Sequence, residues 1–209
     1  MCGSDSITFI LDDDPDVREA LAALVRSVGI EAKTFAESSE FLASYDPDRS
    51  GCLVLDVRMP GMSGLNLQTE LTARGIQVPI IFLTGHATVP MATRAMKNGA
   101  WNLLGKPVRD QTLLDEVHSA LAADERRRHD RAKKMALRRR LDLLSPRERE
   151  VLEFVWAGET TAAIATALGI TRKTVQAHRA SILSRVHARS MAELIRMVWE
   201  SEYHRCARP

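Results

Sequence analysis

Apolar residues in this chain change their spacing several times, and each change marks an element. Ile7–Leu11 is a short, continuously apolar run that reads as a buried strand. Asp14-Pro15 follows as a helix cap with proline at the first helical position. Val17, Leu21, Leu24, Val25 and Val28 then recur at helical spacing up to Gly29. The same alternation repeats: strands at Glu31–Phe35, Cys52–Leu55, Ile80–Leu83 and Trp101–Leu104, with helices near Ser38–Tyr45, Leu65–Arg74 and Val89–Asn98. A Pro/Gly-rich loop, Met59–Gly64, separates Asp56 from the third helix, and another helix follows Lys106-Pro107. Five βα units with apolar central strands predict a parallel sheet covered by helices on both faces.

From Asp110 to Leu144 there is neither proline nor glycine. Leu114, Val117 and Leu121 continue an apolar stripe, which lapses across Asp124–Arg131 and resumes at Met135, Leu137, Leu141 and Leu144. Spacing of Asp124 to Arg128 and of Asp130 to Lys134 allows i,i+4 ion pairs, so a connecting helix is expected. Beyond it only helices are predicted. Ser145-Pro-Arg-Glu148 and Ser190-Met-Ala-Glu193 are capping boxes. A helix from Ser145 ends at Gly158, a short one spans Thr161–Leu168, one capped by Thr171 reaches Val186, and the last runs to Tyr203. The Leu168–Thr171 turn has helix-turn-helix proportions.

Composition narrows the class. In 209 residues, 45% apolar and 27% charged, the net charge is +2. That total hides a division. Residues 1–120 hold 10 Lys/Arg and 16 Asp/Glu, a net of −6; residues 121–209 hold 19 and 11, a net of +8. Such a split suggests two domains, the basic one meeting a polyanion. Of the +8, the connector 121–144 carries +5 and residues 145–209 carry +3. Cys2, Cys52 and Cys206 are too widely spaced for a zinc site and fit reduced thiols. With no membrane-length apolar run and no secretory leader pattern, a cytoplasmic protein is expected.

In an open parallel sheet, ligands bind at the carboxyl ends of the strands. There stand Asp12 and Asp13, Asp56, Thr84 and Lys106. Gathered carboxylates repel one another, and a hard divalent cation with oxygen ligands offsets that. Asp56 is then placed to act as a carboxylate nucleophile toward a phosphoryl group, with Lys106 neutralising its charge. Acidic residues that merely cap helices are the plainer alternative for a lone Asp-Asp-Asp, and Asp14 fits it.

ILDDDPDVREAL, LVLDVRMPGMSGLNL, IIFLTGHATVPMATRAMKNGA and GKP resemble the receiver domain of two-component response regulators over residues 6–122. The resemblance implies a five-stranded, doubly wound parallel sheet of the flavodoxin/CheY-like class. It makes Asp56 the phosphoacceptor. Asp13, Asp56 and the Arg58 backbone carbonyl become direct ligands of Mg²⁺ (or Mn²⁺), with Asp12 acting through water. It makes Thr84 and Lys106 the phosphate-responsive pair, with Lys106-Pro107 cis, and a sensor histidine kinase the donor. The family usually has Phe or Tyr at the switch position occupied here by Leu103, which implies a looser coupling of phosphorylation to output. Arg58 and His86, two residues beyond Asp56 and Thr84, flank the phosphoryl position and are candidates for setting its lifetime.

LSPREREVLEFVWAGETTAAIATALGITRKTVQAHRASILSRVHARSMAELIRM resembles the LuxR-type helix-turn-helix of the FixJ/NarL regulators across 144–200. By that resemblance Gln176, Ala177 and Ala180 face bases, while Arg172, Lys173, Thr174 and His178 lie near phosphates, with Arg179 in the same polar set. Thr161-Ala162 replaces the frequent Asn-Lys, removing one phosphate contact and about one unit of salt slope. The organisation expected is a receiver at 1–122, a linker helix at 123–143 and an all-α four-helix DNA-binding domain at 144–209. The implied action is phosphorylation-controlled homodimerisation and binding to promoter DNA as a transcription activator, with RNA polymerase as a further partner, no membrane, and no enzymatic turnover. An aspartyl phosphohydrolase is the rival reading, weakened because Arg58 is a poor acid or base.

Overall fold

The computed structural model describes residues 6–200. Cys2, Cys206 and the Tyr203 end expected for the last helix lie outside the described residues. The chain divides into two units, 1–128 and 129–209. The first carries strands β1 (Ile7–Leu11), β2 (Glu31–Phe35), β3 (Gly51–Asp56), β4 (Ile80–Thr84) and β5 (Asn102–Gly105). They form one parallel sheet in the order β2-β1-β3-β4-β5. Helices α1 (Pro15–Ser27), α2 (Ser38–Ser44), α3 (Gly64–Ala73) and α4 (Val89–Lys97) alternate with the strands, and α5 (Asp110–Asp142) follows β5.

Strand side chains alternate between two cores. Phe9, Leu53, Leu55 and Phe82 pack with Phe41 of α2, Leu67 and Leu71 of α3 and Ala95 of α4. Ile10, Val54, Ile81 and Leu83 pack with Leu21 and Val25 of α1 and Leu113, Val117 and Leu121 of α5. Burial on both faces explains the continuously apolar strands. Strand β3 starts one residue earlier than the apolar run, at Gly51, because only glycine fits there: a Cβ would lie 2.7 Å from the Ile7 carbonyl oxygen. Strand β5 starts at Asn102 rather than Trp101. Trp101 donates its indole N–H to Glu116 at 3.0 Å, and Asn102 donates to the same carboxylate at 2.9 Å.

At the end of the sheet where the strands begin, α5 is fastened by a buried carboxylate. Asp124 accepts from the Gly51 N–H and the Ser50 hydroxyl, both at 3.1 Å, and pairs with Arg127 and, at 2.6 Å, with Arg128. Arg128 also donates to the Pro47 carbonyl and the Tyr45 hydroxyl. The expected Asp124–Arg128 pair therefore forms. Asp130 and Lys134 make no ion pair among the described residues, since both side chains stand in solvent.

The second unit contains the rest of α5 and helices α6 (Pro146–Trp156), α7 (Thr161–Leu168), α8 (Arg172–Val186) and α9 (Met191–Glu200). Leu137 and Leu141 of α5 share one core with Val151, Ile164, Val175, Ile182, Val186, Leu194 and Val198. The capping box at Ser145 and Glu148 is complete. At α9, Ser190 caps the Glu193 N–H, but the Glu193 carboxylate returns to the Arg189 N–H at 2.7 Å, one residue before the position expected for a capping box.

Asp124→Ala removes a fully buried charge that four donors address. It is expected to destabilise the first unit by about 2–4 kcal/mol, below the full cost of breaking a deeply buried pair because both arginines reach solvent. Urea unfolding of the full chain, followed by a probe in the first unit, measures this.

Candidate functional site

Leu11 pairs with Leu55 across β1 and β3, so the next residues, Asp12 and Asp56, stand on adjacent strands. Both are nearly excluded from solvent. Two like unit charges about 5 Å apart repel by about 3 kcal/mol at an effective dielectric of 20, so neighbouring carboxylates call for a cation. The compensating charge is Lys106. Its Nζ lies 2.5 Å from Asp12 Oδ2 and 2.8 Å from Asp56 Oδ1. Burial pulls the ammonium's pKa down, but its hydrogen bonds to both carboxylates and their charges outweigh this, so the pKa lies above the ordinary lysine value. Backbone donors hold the remaining oxygens: Asp14 N–H to Asp12 Oδ1 at 3.0 Å, and Arg58 N–H to Asp56 Oδ2 at 2.6 Å.

Local sequence sets these loops. Asp14 caps α1 as expected, through the Asp16 and Val17 N–H groups. Lys106-Pro107 is cis, and the Lys106 N–H bonds the Thr84 carbonyl at 2.8 Å. Gly64 lies so close to β3 that a Cβ there would be 2.3 Å from the Asp56 carbonyl oxygen. Buried Thr84 stands at the end of β4, its hydroxyl 3.3 Å from the His86 N–H. Leu103 is half-buried and packs against the edge of the first core. Asp13 is exposed, apart from the Asp12–Lys106–Asp56 group.

Two contacts were not evident from sequence. Arg18 donates to the backbone carbonyls of Asp12, at 2.7 Å, and Asp13, at 3.0 Å, bracing the acidic loop. Its position in the second turn of α1 was the available signal. Arg58 Nη2 and His86 Nδ1 lie 2.7 Å apart, joining the residues two beyond Asp56 and Thr84. Arginine has no acceptor, so Nδ1 accepts in this contact.

Hard oxygen donors suit Mg²⁺ in type. Asp12 and Asp56 already share one cation. Among the described residues, however, no three His, Cys, Asp or Glu side chains are gathered into a metal-holding group.

In the second unit, Gly169 adopts φ 65° and turns α7 into α8. Thr171 caps α8 through the Thr174 N–H at 3.1 Å, and the two threonine hydroxyls lie 2.8 Å apart. Val175, Ile182 and Val186 are buried, whereas Arg172, Lys173, Gln176, Ala177 and Ala180 are exposed. Gln176, Ala177 and Ala180 follow i, i+1, i+4 spacing and so share one face. Thr174, His178 and Arg179 are half-buried, and Arg179 donates to the Thr161 hydroxyl at 3.1 Å, spending part of its charge on α7.

A parallel sheet ending in an Asp–Lys–Asp triad and a helix-turn-helix are now both defined. The response regulator receiver domain family matches residues 8–118, and the luxR family of bacterial regulatory proteins matches residues 142–198. The chain belongs to the two-component response regulators. The regulator is 45% identical to nodulation protein W of Bradyrhizobium diazoefficiens over 192 residues, 92% of this chain and 85% of that protein. It is 41% identical over 192 residues to the response regulator protein TodT of Pseudomonas putida, with the same coverage of 92% and 85%. Its fold matches the low-resolution structure of the response regulator StyR with a TM-score of 0.85 and 42% identity, covering 94% of this chain and 99% of that one. No helix among the described residues is long and apolar enough to cross a membrane.

The regulator's DNA-binding unit carries its own buried acid. Glu148 accepts from the Ser181 hydroxyl at 2.5 Å and the Ser145 N–H at 2.8 Å, with Arg185 at 3.2 Å. Burial pushes its carboxyl up, but these partners outweigh that and hold its pKa at about 2, against 4.5 for a free glutamate. A depressed folded pKa gives stability that is fully present above the unfolded value and is lost as pH falls through the folded one. Thermal melts should therefore show the second unit losing this contribution between pH 4.5 and about 2. Glu148→Gln should flatten that stretch and lower the melting temperature at neutral pH.

Proposed function

We propose that Asp56 receives a phosphoryl group from a sensor histidine kinase, and that this controls dimerisation and promoter binding. The carrying observation is the Lys106 ammonium seated between Asp12 and Asp56. In the transfer, an Asp56 carboxylate oxygen attacks phosphorus. The new P–O bond forms as the P–N bond of the phosphohistidine breaks, and the electron pair leaves on the imidazole nitrogen. Lys106 then has an incoming anion to pair with, and Thr84 offers its hydroxyl to the same group.

Asp12, Asp13, Asp56 and the Arg58 carbonyl would hold Mg²⁺ (or Mn²⁺), which when bound supplies charge neutralisation for the phosphoryl oxygens. The protein acts as a phosphoacceptor rather than a turnover enzyme, with Arg58 and His86, two residues beyond Asp56 and Thr84 and 2.7 Å from each other, as the groups that would limit access of water to the phosphoryl group. With Leu103 at the switch position, Thr84 moves without an aromatic partner, and coupling to the surface is correspondingly loose.

Exposed Val89 (81%), Met96 (48%) and Trp101 (37%) support dimerisation through the α4–β5 face. Gln176 reads a base edge, Ala177 and Ala180 pack on thymine methyls, and Arg172, Lys173, Thr174, His178 and Arg179 address the backbone. The protein works in the cytoplasm as a transcription activator that engages RNA polymerase.

Incubation with Mg²⁺ and a small phosphodonor should add one phosphoryl mass to the wild type and none to Asp56→Asn. An unchanged mass gain in Asp56→Asn would reject the acceptor assignment. Arg58→Ala and His86→Ala should each shorten the half-life of the phosphorylated form severalfold. Wild-type half-lives in both would remove their protective role.

A further inference from the structure

Every residue from His129 to Ala136 is exposed, within an unbroken helix. The core of the first unit ends on α5 at Leu121, and that of the second begins at Leu137. Between them the chain holds few anions. From His129 to Arg140 there are six Lys/Arg and one Asp, a net of +5, whereas residues 145–209 together carry +3. Arg131, Lys133, Lys134 and Arg139 are exposed and make no ion pair among the described residues. Spacings such as Arg131 to Lys134 and Lys134 to Arg138 set like charges three and four apart, which weakens a helix. Only Leu137 in this stretch enters a core, and a stretch whose like charges oppose its own helix gains from a polyanion, which relieves the repulsion. It is also carried on the DNA-binding unit: Leu137 and Leu141 are buried in that unit's core, and Arg140 donates to the Val186 carbonyl at the end of α8.

We propose that the cationic segment of α5, from Arg131 to Arg140, is a second DNA-contacting surface that grips the phosphates flanking the segment read by α8. The inference rests on the DNA-binding reading above. It assigns to the connector most of the sequence-independent affinity, which depends on how many phosphates are neutralised.

The test is the salt dependence of full-chain binding to a labelled mixed-sequence DNA duplex between about 50 and 200 mM salt. The triple variant Arg131→Gln, Lys134→Gln, Arg139→Gln should reduce the slope of log K against log salt by about 2–3 units, near 0.9 per lost contact. A charge-matched control, Lys33→Gln, Arg74→Gln, Arg109→Gln, should shift it by less than about one unit. Replacing Arg131 and Arg139 by lysine should retain the wild-type slope. Glutamine matches lysine and arginine in helix propensity, so far-UV circular dichroism should be unchanged. A connector triple whose slope falls no more than the control's overturns the proposal. So does tighter binding by that triple, which would mean that the cations are engaged by acidic surface of the protein itself. Lys173→Gln separates the two readings: wild-type affinity and slope in that variant reject the α8 assignment, whatever the connector variants do.

Discussion

One ammonium group holds together the end of the sheet that carries Asp12 and Asp56. Parallel pairing of β1 with β3 puts two buried carboxylates on neighbouring strands, and the Lys106 ammonium bonds both. Lys106 arrives from the end of β5, two strands away from β3, so its placement depends on the whole order β1-β3-β4-β5 being correct. The loops then refine what the sheet delivers. Each acidic side chain also accepts a backbone N–H two residues ahead, which fixes its rotamer as well as its charge. A site of this kind is a property of the sheet rather than of any single loop.

Much of this was legible from residue spacing because strand ends are marked locally. An apolar run that stops at Asp, Asp, Thr or Lys-Pro names both the element and the group it presents. Helix caps were equally legible at Asp14, Ser145 and Thr171, where side chain and N–H are three residues apart or fewer. Contacts between distant residues were not. Asp124 meets Ser50 across 74 positions, and Glu148 meets Ser181 across 33. No periodicity encodes such a meeting. Asp124 looked like half of a surface i,i+4 pair, and only the fold shows that β3 begins against it. Gly51 was missed as a strand residue because glycine reads as a breaker, yet here the missing side chain is what lets β1 approach.

Both units use the same device. Each buries one carboxylate that is not part of its chemistry, and each surrounds it with hydroxyls, backbone donors and arginine. Asp124 fastens α5 to the sheet. Glu148 fastens the start of α6 to α8, the helix that presents Gln176. Local charge therefore carries more information than the chain's net charge. Six exposed or half-exposed cations between Arg131 and Arg140 and four buried carboxylates, Asp12, Asp56, Asp124 and Glu148, describe the molecule better than a total of +2.

The crowding at Gly64 makes the packing around Asp56 uneven. On that flank, α3 abuts the Asp56 carbonyl with no room for a methyl group, and the Gly64 N–H is bonded to Val57. On the other flank, Gly85 and Gly105 have nothing within 4 Å of where a side chain would begin. The site is mechanically lopsided, with a stiff abutment on one side and a compliant margin on the other. A side chain added at Gly64 would push into the strand that carries Asp56, whereas Gly85 and Gly105 leave open space beyond the ends of β4 and β5.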